Sequence, residues 1–417
     1  MKFGLEGITK LLGILDDPQR KFTTIHIAGT NGKGSTASML AAMFTAAGYK
    51  TGLYTSPHLV SFTERIRING KQISRGEVAR YIDAMRRHIV KQQPTFFEAT
   101  TAIAFAHFAE KNVAIAIIEA GLGGRLDSTN VVKPLISVIT NIGLEHTEIL
   151  GETIEEIARE KAGIIKNGVP CVTGVSQPRA LAVIKDMCEK RNARLILASR
   201  FNASIREMSL NRTIADLKVR RVLYEGLSLS LPGFYQLKNV AVAIATAREV
   251  SEAGKFPIGE SFIRLGLSRV QELTGLNGRL SLVWRNPSII IDVAHNTDGT
   301  KQLAASLRDM GVGNIILVFG VLKDKNCGAM ARVLEPLASE VIAVAARTER
   351  SRSAGEVAAS FKMPPGKVTA GLSVQEGVRL AIQRSYQKTP ILVTGSHFVV
   401  GEALQFLAEK KNLTITE

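Results

Sequence analysis

Residues 23–44 read Thr-Thr-Ile-His-Ile-Ala, then Gly29-Thr30-Asn31-Gly32-Lys33-Gly34-Ser35, then Thr-Ala-Ser-Met-Leu-Ala-Ala-Met-Phe. The first part is a short apolar, β-rich run. The last has helical spacing, with Met39, Leu40, Met43 and Phe44 expected on one side. A glycine loop between a strand and a helix N-terminus is an anion cradle. Glycines let backbone N–H groups approach, the helix dipole favours negative charge, and a lysine neutralises it. The Ser35 hydroxyl is placed to face a divalent cation.

The loop departs from the general P-loop, which has four residues between its first glycine and the Gly-Lys pair, with Ser or Thr next. Here Thr30 and Asn31 alone separate Gly29 from Gly32-Lys33, and Gly34 precedes Ser35. The bland reading is a tight βα turn; three glycines and a lysine between such flanks favour phosphate.

Outward from the loop, the chain alternates strand and helix. A lead-in helix over residues 4–15 stops at Asp16-Asp17-Pro18. A strand at 50–54 runs into Thr55-Ser56-Pro57-His58-Leu59. Ser74-Arg75-Gly76-Glu77 is a capping box for a helix to about residue 92, and another helix covers roughly residues 98–110. The apolar run 113–118 predicts a strand covered on both faces and delivers Glu119 at its end. A strand at 135–140 leads to Asn141-Ile-Gly-Leu-Glu-His146, and a capped helix opens at Thr153. A strand at 169–175, a helix at 178–191 and a strand at 195–197 follow. This rhythm predicts a doubly wound, mostly parallel sheet whose ligands sit off its strand ends. The glycine loop, Ser56, Glu119 and His146 all fall at such ends.

Residues 201–231 switch to short alternating runs, an antiparallel excursion. Helices at 236–252 and 262–270 precede a hinge at 274–279. The βα alternation then restarts, with strands at 288–293, 314–319, 340–345 and 390–394, a second, Rossmann-like α/β domain of roughly 140 residues. The division is 1–275 and 276–417. A length of 417 residues is itself too great for one ordinary core.

The net charge of +16 admits an anionic partner. No basic run or aromatic interleaving supports nucleic acid, no window reaches a membrane span, and the first ten residues are not a secretory signal. Cys171, Cys188 and Cys327 lie far apart without metal-ligand spacing, which fits a reducing cytoplasm. Glu119, at the end of a buried strand, needs a pairing partner or a cation; capping a helix is the alternative. His146 alone reads as a packed histidine, and is an unusual ligand for magnesium, which prefers oxygen. Asp292, after three isoleucines, is placed for a ribose hydroxyl or for a helix N-cap. These residues describe a two-domain nucleotide-using enzyme that joins two substrates when its cleft closes.

Gly29–Ser35, Thr55-Ser-Pro-His58, Glu119-Ala-Gly-Leu-Gly-Gly-Arg125, Asn141–His146 and Glu160-Lys-Ala-Gly163 together resemble the folylpolyglutamate synthase/dihydrofolate synthase branch of the Mur ligase superfamily. The similarity continues through Asn277-Gly-Arg279, Asp292-Val-Ala-His-Asn296 and Thr394-Gly-Ser396. It implies Mur ligase architecture and an ATP-dependent ligation. ATP phosphorylates a pterin carboxylate and L-glutamate attacks the acyl phosphate, with dihydropteroate, a reduced folate or both as acceptor. By motif, Asn31, Gly32, Lys33, Gly34, Ser35, Asn239, Arg279, Asp292 and His295 would bind nucleotide. Ser35, Ser56, Glu119 and His146 would ligate Mg2+, with Mn2+ and a monovalent cation as further expectations. Lys33, Glu119, His146 and Lys161 would be catalytic. Lys161 would be carbamylated, which requires a neutral amine and hence a depressed pKa. Gly4, Leu5, Thr95, Phe97, Leu126, Asp127 and Ser128 would line the pterin pocket. The chain is expected to be a cytoplasmic monomer.

Three positions depart from the family pattern: Asn277, Thr297 and Asn326, where proline, proline and an acid are usual. The rivals are a peptidoglycan-precursor ligase, disfavoured because no UDP-binding domain precedes Gly29, and a non-catalytic nucleotide-binding module.

Overall fold

The computed structural model describes residues 4–385 and 389–414. Its first sheet has eight strands, β1 (Thr23–Ala28), β2 (Thr51–Tyr54), β3 (Ile66–Ile68), β4 (Lys71–Gln72), β5 (Ile115–Glu119), β6 (Ile136–Ile139), β7 (Cys171–Thr173) and β8 (Leu195–Leu197), in spatial order β4-β3-β2-β5-β1-β6-β7-β8. Six of them, from β2 across to β8, run parallel, and β3 and β4 form an antiparallel edge. That edge was not apparent in the sequence, because such short strands carry almost no periodicity. β1 lies between β5 and β6. Its carboxyl end is therefore the switch point, and the glycine loop leaves from there.

The helix Lys33–Ala46 is the first departure from expectation. It has no exposed face: every residue from Gly34 to Phe44 is buried. The sheet covers one side, while the helices Tyr235–Glu252 and Glu260–Ser268 cover the other within one apolar cluster. Gly266 permits this approach, since a Cβ there would meet the Met43 backbone at 2.7 Å. The opposite face of the sheet is closed by the helices Glu6–Ile14 and Phe96–Glu110.

The excursion folds as expected, with β9 (Phe201–Met208), β10 (Thr213–Val219) and β11 (Val222–Leu229) in one antiparallel sheet. The last sheet holds β12 (Ser281–Arg285), β13 (Ser288–Ile291), β14 (Ile315–Phe319), β15 (Ala338–Ala345), β16 (Val368–Ser373) and β17 (Ile391–Thr394), ordered β12-β13-β17-β14-β15-β16. Four of these match the sequence reading. β12 and β16, at the two edges, were missed; an edge strand needs no continuous apolar run. β12 alone is antiparallel to its neighbour, so this C-terminal sheet is mixed.

Between the sheets, the linker is pinned from both sides. Arg67 Nη1 of β3 donates to Thr274 O at 2.8 Å. Asp292, just after β13, accepts from Leu280 N at 2.9 Å and Ala294 N at 2.8 Å. No helix among the described residues is long and apolar enough to cross a membrane.

Candidate active site

Gly32 takes φ +80° as the cap of the helix Lys33–Ala46. A Cβ there would lie 2.3 Å from Asn239 Oδ1, so the loop is pressed against the helix Tyr235–Glu252. At Gly29 the obstacle is Thr140, whose hydroxyl donates to Asn31 O at 2.7 Å. Asn31 N donates to Asn141 Oδ1 at 2.7 Å. The loop's shape is thus held by the segment after β6. Lys33 Nζ curls back to Gly29 O at 2.9 Å and Thr30 O at 3.1 Å.

Glu119 ends β5 at 3% exposure, and its Oε2 accepts from Ser56 N at 3.1 Å. It makes no ion pair among the described residues, although Lys33, Arg279 and Arg65 all act on it. Burial raises its pKa, the opposing pull coming mainly from Lys33. A Cβ on Gly34 would stand 3.5 Å from the Glu119 carboxylate and 3.8 Å from Arg279 Nη2. Gly34 is therefore where the acid of the first domain and the arginine of the second come together.

Lys161, on the helix Ile154–Ala162, is 4% exposed and donates to Gly29 O at 2.9 Å. Burial first, and the Lys33 charge second, lower its pKa to about 7, against the pull of Glu145 and Asp127. A buried amine with a lowered pKa is the physical condition that carbamylation of this position would need. His146 caps the short helix Thr147–Leu150 in the left-handed conformation, φ 52°. It is exposed on one side. Partial desolvation holds its imidazole below the ordinary value, with Glu145 opposing and Lys325, Lys33 and Lys161 adding. Lys33 thus acts on Glu119, Glu145, His146 and Lys161 alike.

Glu145, passed over in the sequence in favour of its neighbour His146, is the centre of a clasp across the cleft. Its Oε1 meets His295 Nε2 at 3.1 Å and Asn296 Nδ2 at 3.1 Å, and lies 3.9 Å from Lys325 Nζ. Asn296 Nδ2 also reaches Asn31 Oδ1 at 3.2 Å. Burial would raise the Glu145 pKa, but His295, Lys33 and Asn296 together outweigh it and hold the carboxyl well below the usual range. His295 Nδ1 contacts Val293 O at 2.9 Å, and its ring centroid lies 5.0 Å from that of His397, with the two planes tilted by 49°.

Several expected positions have structural duties. Thr95 N-caps the helix Phe96–Glu110 through a capping box with Glu98. Asp127, 6% exposed, spends its carboxylate on Leu122 N and Thr129 N, at 2.9 and 3.0 Å, and so shapes the glycine turn after Glu119. Burial raises its pKa despite these bonds. Phe97 covers that turn, since a Cβ on Gly121 would lie 2.6 Å from its ring. Leu126 and Ser128 flank Asp127, half-buried and buried, and Gly4 and Leu5 precede the first helix. Asp292 is buried with a raised pKa, caused by desolvation and opposed by Arg279. Of the departures, Thr297 occupies the first turn of the helix Thr297–Asp309, where proline is equally at home. Asn326 N-caps the helix Cys327–Leu334, accepting from Ala329 N at 3.0 Å.

No group of three or more His, Cys, Asp or Glu side chains gathers among the described residues. The donors near the loop are instead the hydroxyl oxygens of Ser35 and Ser56 and the Glu119 carboxylate. This sparse oxygen set suits a hard cation that keeps waters and takes phosphate oxygens.

The Mur ligase middle domain matches residues 27–247, and the Mur ligase, glutamate ligase domain matches residues 278–397. The dihydrofolate synthase/folylpolyglutamate synthase of Bacillus subtilis is 40% identical over 350 residues, 82% of this chain and 80% of that protein. The crystal structure of folylpolyglutamate synthase from Thermotoga maritima superposes with a TM-score of 0.85 at 35% identity, covering 98% of this chain and 94% of the other. Escherichia coli FolC in complex with DHPP and ADP gives a TM-score of 0.87 at 28% identity over 99% of this chain and 94% of that one. On both sequence and fold, the chain belongs to the dihydrofolate synthase/folylpolyglutamate synthase family of Mur ligases.

Proposed function

We propose that this chain is an ATP-dependent ligase that joins L-glutamate to a pterin carboxylic acid. The acceptor is dihydropteroate, a reduced folate, or each in turn as in a bifunctional bacterial enzyme. The observation that carries the reading is the meeting at Gly34 of the glycine loop, the buried Glu119 carboxylate and Arg279 from across the cleft. A triphosphate laid on the loop has Lys33 at its mouth and Arg279 above it. Asn31, Gly32, Gly34, Ser35 and Asn239 form the cradle, and Asp292 and His295 flank it on the second domain.

The acceptor carboxylate takes the γ-phosphoryl group, ADP departs, the glutamate amine attacks the acyl carbon, and phosphate leaves. Preorganised cations offset the charge that develops on the phosphoryl oxygens. Holding both substrates in one closed cleft removes the entropic cost of their encounter. Ser35, Ser56 and Glu119 would hold Mg2+, directly or through water, with His146 behind them. When bound, that ion neutralises phosphate charge as a Lewis acid. The His146 nitrogen is the feature that would admit Mn2+, and metal-replacement assays decide that and the monovalent cation. Lys161, whose burial lowers its pKa to about 7, is the residue that CO2 would convert to a carbamate. Thr95, Phe97, Leu126, Asp127 and Ser128 would wall the pterin, with Gly4 and Leu5 at its edge.

In this reading residues 1–275 and 276–417 are the two lobes, and the chain works as a cytoplasmic monomer on small molecules, without nucleic acid or membrane. The test is ADP release with glutamate and ATP, using dihydropteroate and tetrahydrofolate as separate acceptors. ADP release with neither acceptor would rule the function out.

A further inference from the structure

Arg65 follows the turn at Ser61 and is 8% exposed, yet it forms no ion pair among the described residues. Among the described residues its one side-chain hydrogen bond runs from Nε to His58 Nδ1, at 2.9 Å. Its guanidinium carbon lies 5.3 Å over the Phe96 ring. Both Nη groups are without a hydrogen-bond partner among the described residues, yet they are not sealed from solvent. The neighbouring Glu64 makes no ion pair with it, because its carboxylate oxygens accept from Leu59 N, Val60 N and Ser61 N at 2.9, 2.9 and 2.7 Å. Both Glu119 and Glu64 act on Arg65 only at a distance, Glu119 the more strongly. Phe62 packs edge-on against Phe96 at 5.8 Å and lines a cavity of about 510 Å³ with Val60, Thr63, Arg75 and Gln405.

A desolvated guanidinium is costly unless an anion completes it. Its planar fork suits a carboxylate, which can accept two parallel bonds. Lys33 stands on the glycine loop and Arg279 beside Gly34, where the phosphates would lie, whereas Arg65 stands beside His58 and Phe96. We propose that Arg65 is the binding residue for a carboxylate of the pterin acceptor, with His58 as the positioning residue that orients its fork. This rests on the ligase reading above. Two carboxylates have the right chemistry: the one to be phosphorylated, present in every acceptor, and the α-carboxylate of a terminal glutamyl residue, absent from dihydropteroate.

Calorimetric binding of dihydropteroate, its carboxamide and tetrahydrofolate monoglutamate tests the assignment, alongside ADP-release kinetics. Wild-type protein should prefer the acid to the amide, and Arg65→Gln should lose that preference. Its KM for acceptor should rise on the order of tenfold to a hundredfold while KM for ATP stays within about twofold. Arg65→Lys, which keeps the charge but not the fork, should fall between, and added guanidinium should partly restore Arg65→Ala. Loss with both acceptors assigns the reacting carboxylate; loss with the monoglutamate alone assigns the α-carboxylate. Unchanged ADP affinity shows that the variants fold. An Arg65→Gln protein that keeps both the full preference for dihydropteroate over its carboxamide and the wild-type affinity for the monoglutamate overturns the proposal. Wild-type protein that binds neither acceptor removes the ligase reading and this assignment with it.

Discussion

Lys161→Met removes a buried amine while conserving volume and leaves no broken carbonyl, because Gly29 O also accepts from Lys33 Nζ. Lys161 falls from an ordinary value of 10.5 to about 7 through burial, with Lys33 adding. An unfolded chain would carry this lysine charged, so folding at neutral pH must strip a proton from it or bury the charge. Between those two values the unfolded state binds more protons, and stability rises with pH. Wild type should therefore trail the methionine variant by about 4 kcal/mol near pH 7 and by only about 2 kcal/mol near pH 9. At roughly 2–4 °C per kcal/mol for a domain of this size, the gap in Tm narrows by about 4–8 °C. The assay is paired thermal unfolding of the two proteins across that range, followed at the first domain. Added bicarbonate supplies a second arm, in which a carbon-13 carbamate resonance appears in wild type and is absent from the variant. A Tm gap that stays constant from pH ~7 to ~9 would refute the depressed amine, and with it the chemical basis for carbamylation.

Lys33→Ala should lower kcat by at least about a thousandfold while leaving the circular dichroism unchanged, since no core contact is lost. Glu145→Gln keeps a hydrogen-bonding oxygen but removes the charge facing His295 and Lys325; kcat/KM should drop on the order of tenfold, about 1.4 kcal/mol, and the scattering radius should increase as the cleft loosens. Gly32→Ala forces φ +80° on a residue with a Cβ and drives that Cβ to 2.3 Å from Asn239 Oδ1. ADP affinity, measured by calorimetry, should fall by about 1–3 kcal/mol.

Periodicity and loop chemistry were enough to read the parallel sheet, the antiparallel excursion and the restart of βα alternation, because buried strands and capped helices are written in neighbouring residues. The same local logic set Glu119 at a strand end and singled out the glycine loop. It read the helix Lys33–Ala46 as one-sided, because nothing local announces that two distant helices will cover its other face. It also passed over Glu145 and Arg65, whose sequence surroundings look like ordinary polar loop. Their significance is what they meet: Glu145 finds His295, Asn296 and Lys325 from the far side of the cleft, and Arg65 finds no ion-pair partner among the described residues. The loop and the strand-end acid were thus determined by sequence alone. Which charges share the cleft, and which of them stay unpaired, was decided only by folding, because electrostatic partnership depends on distance in space and on desolvation.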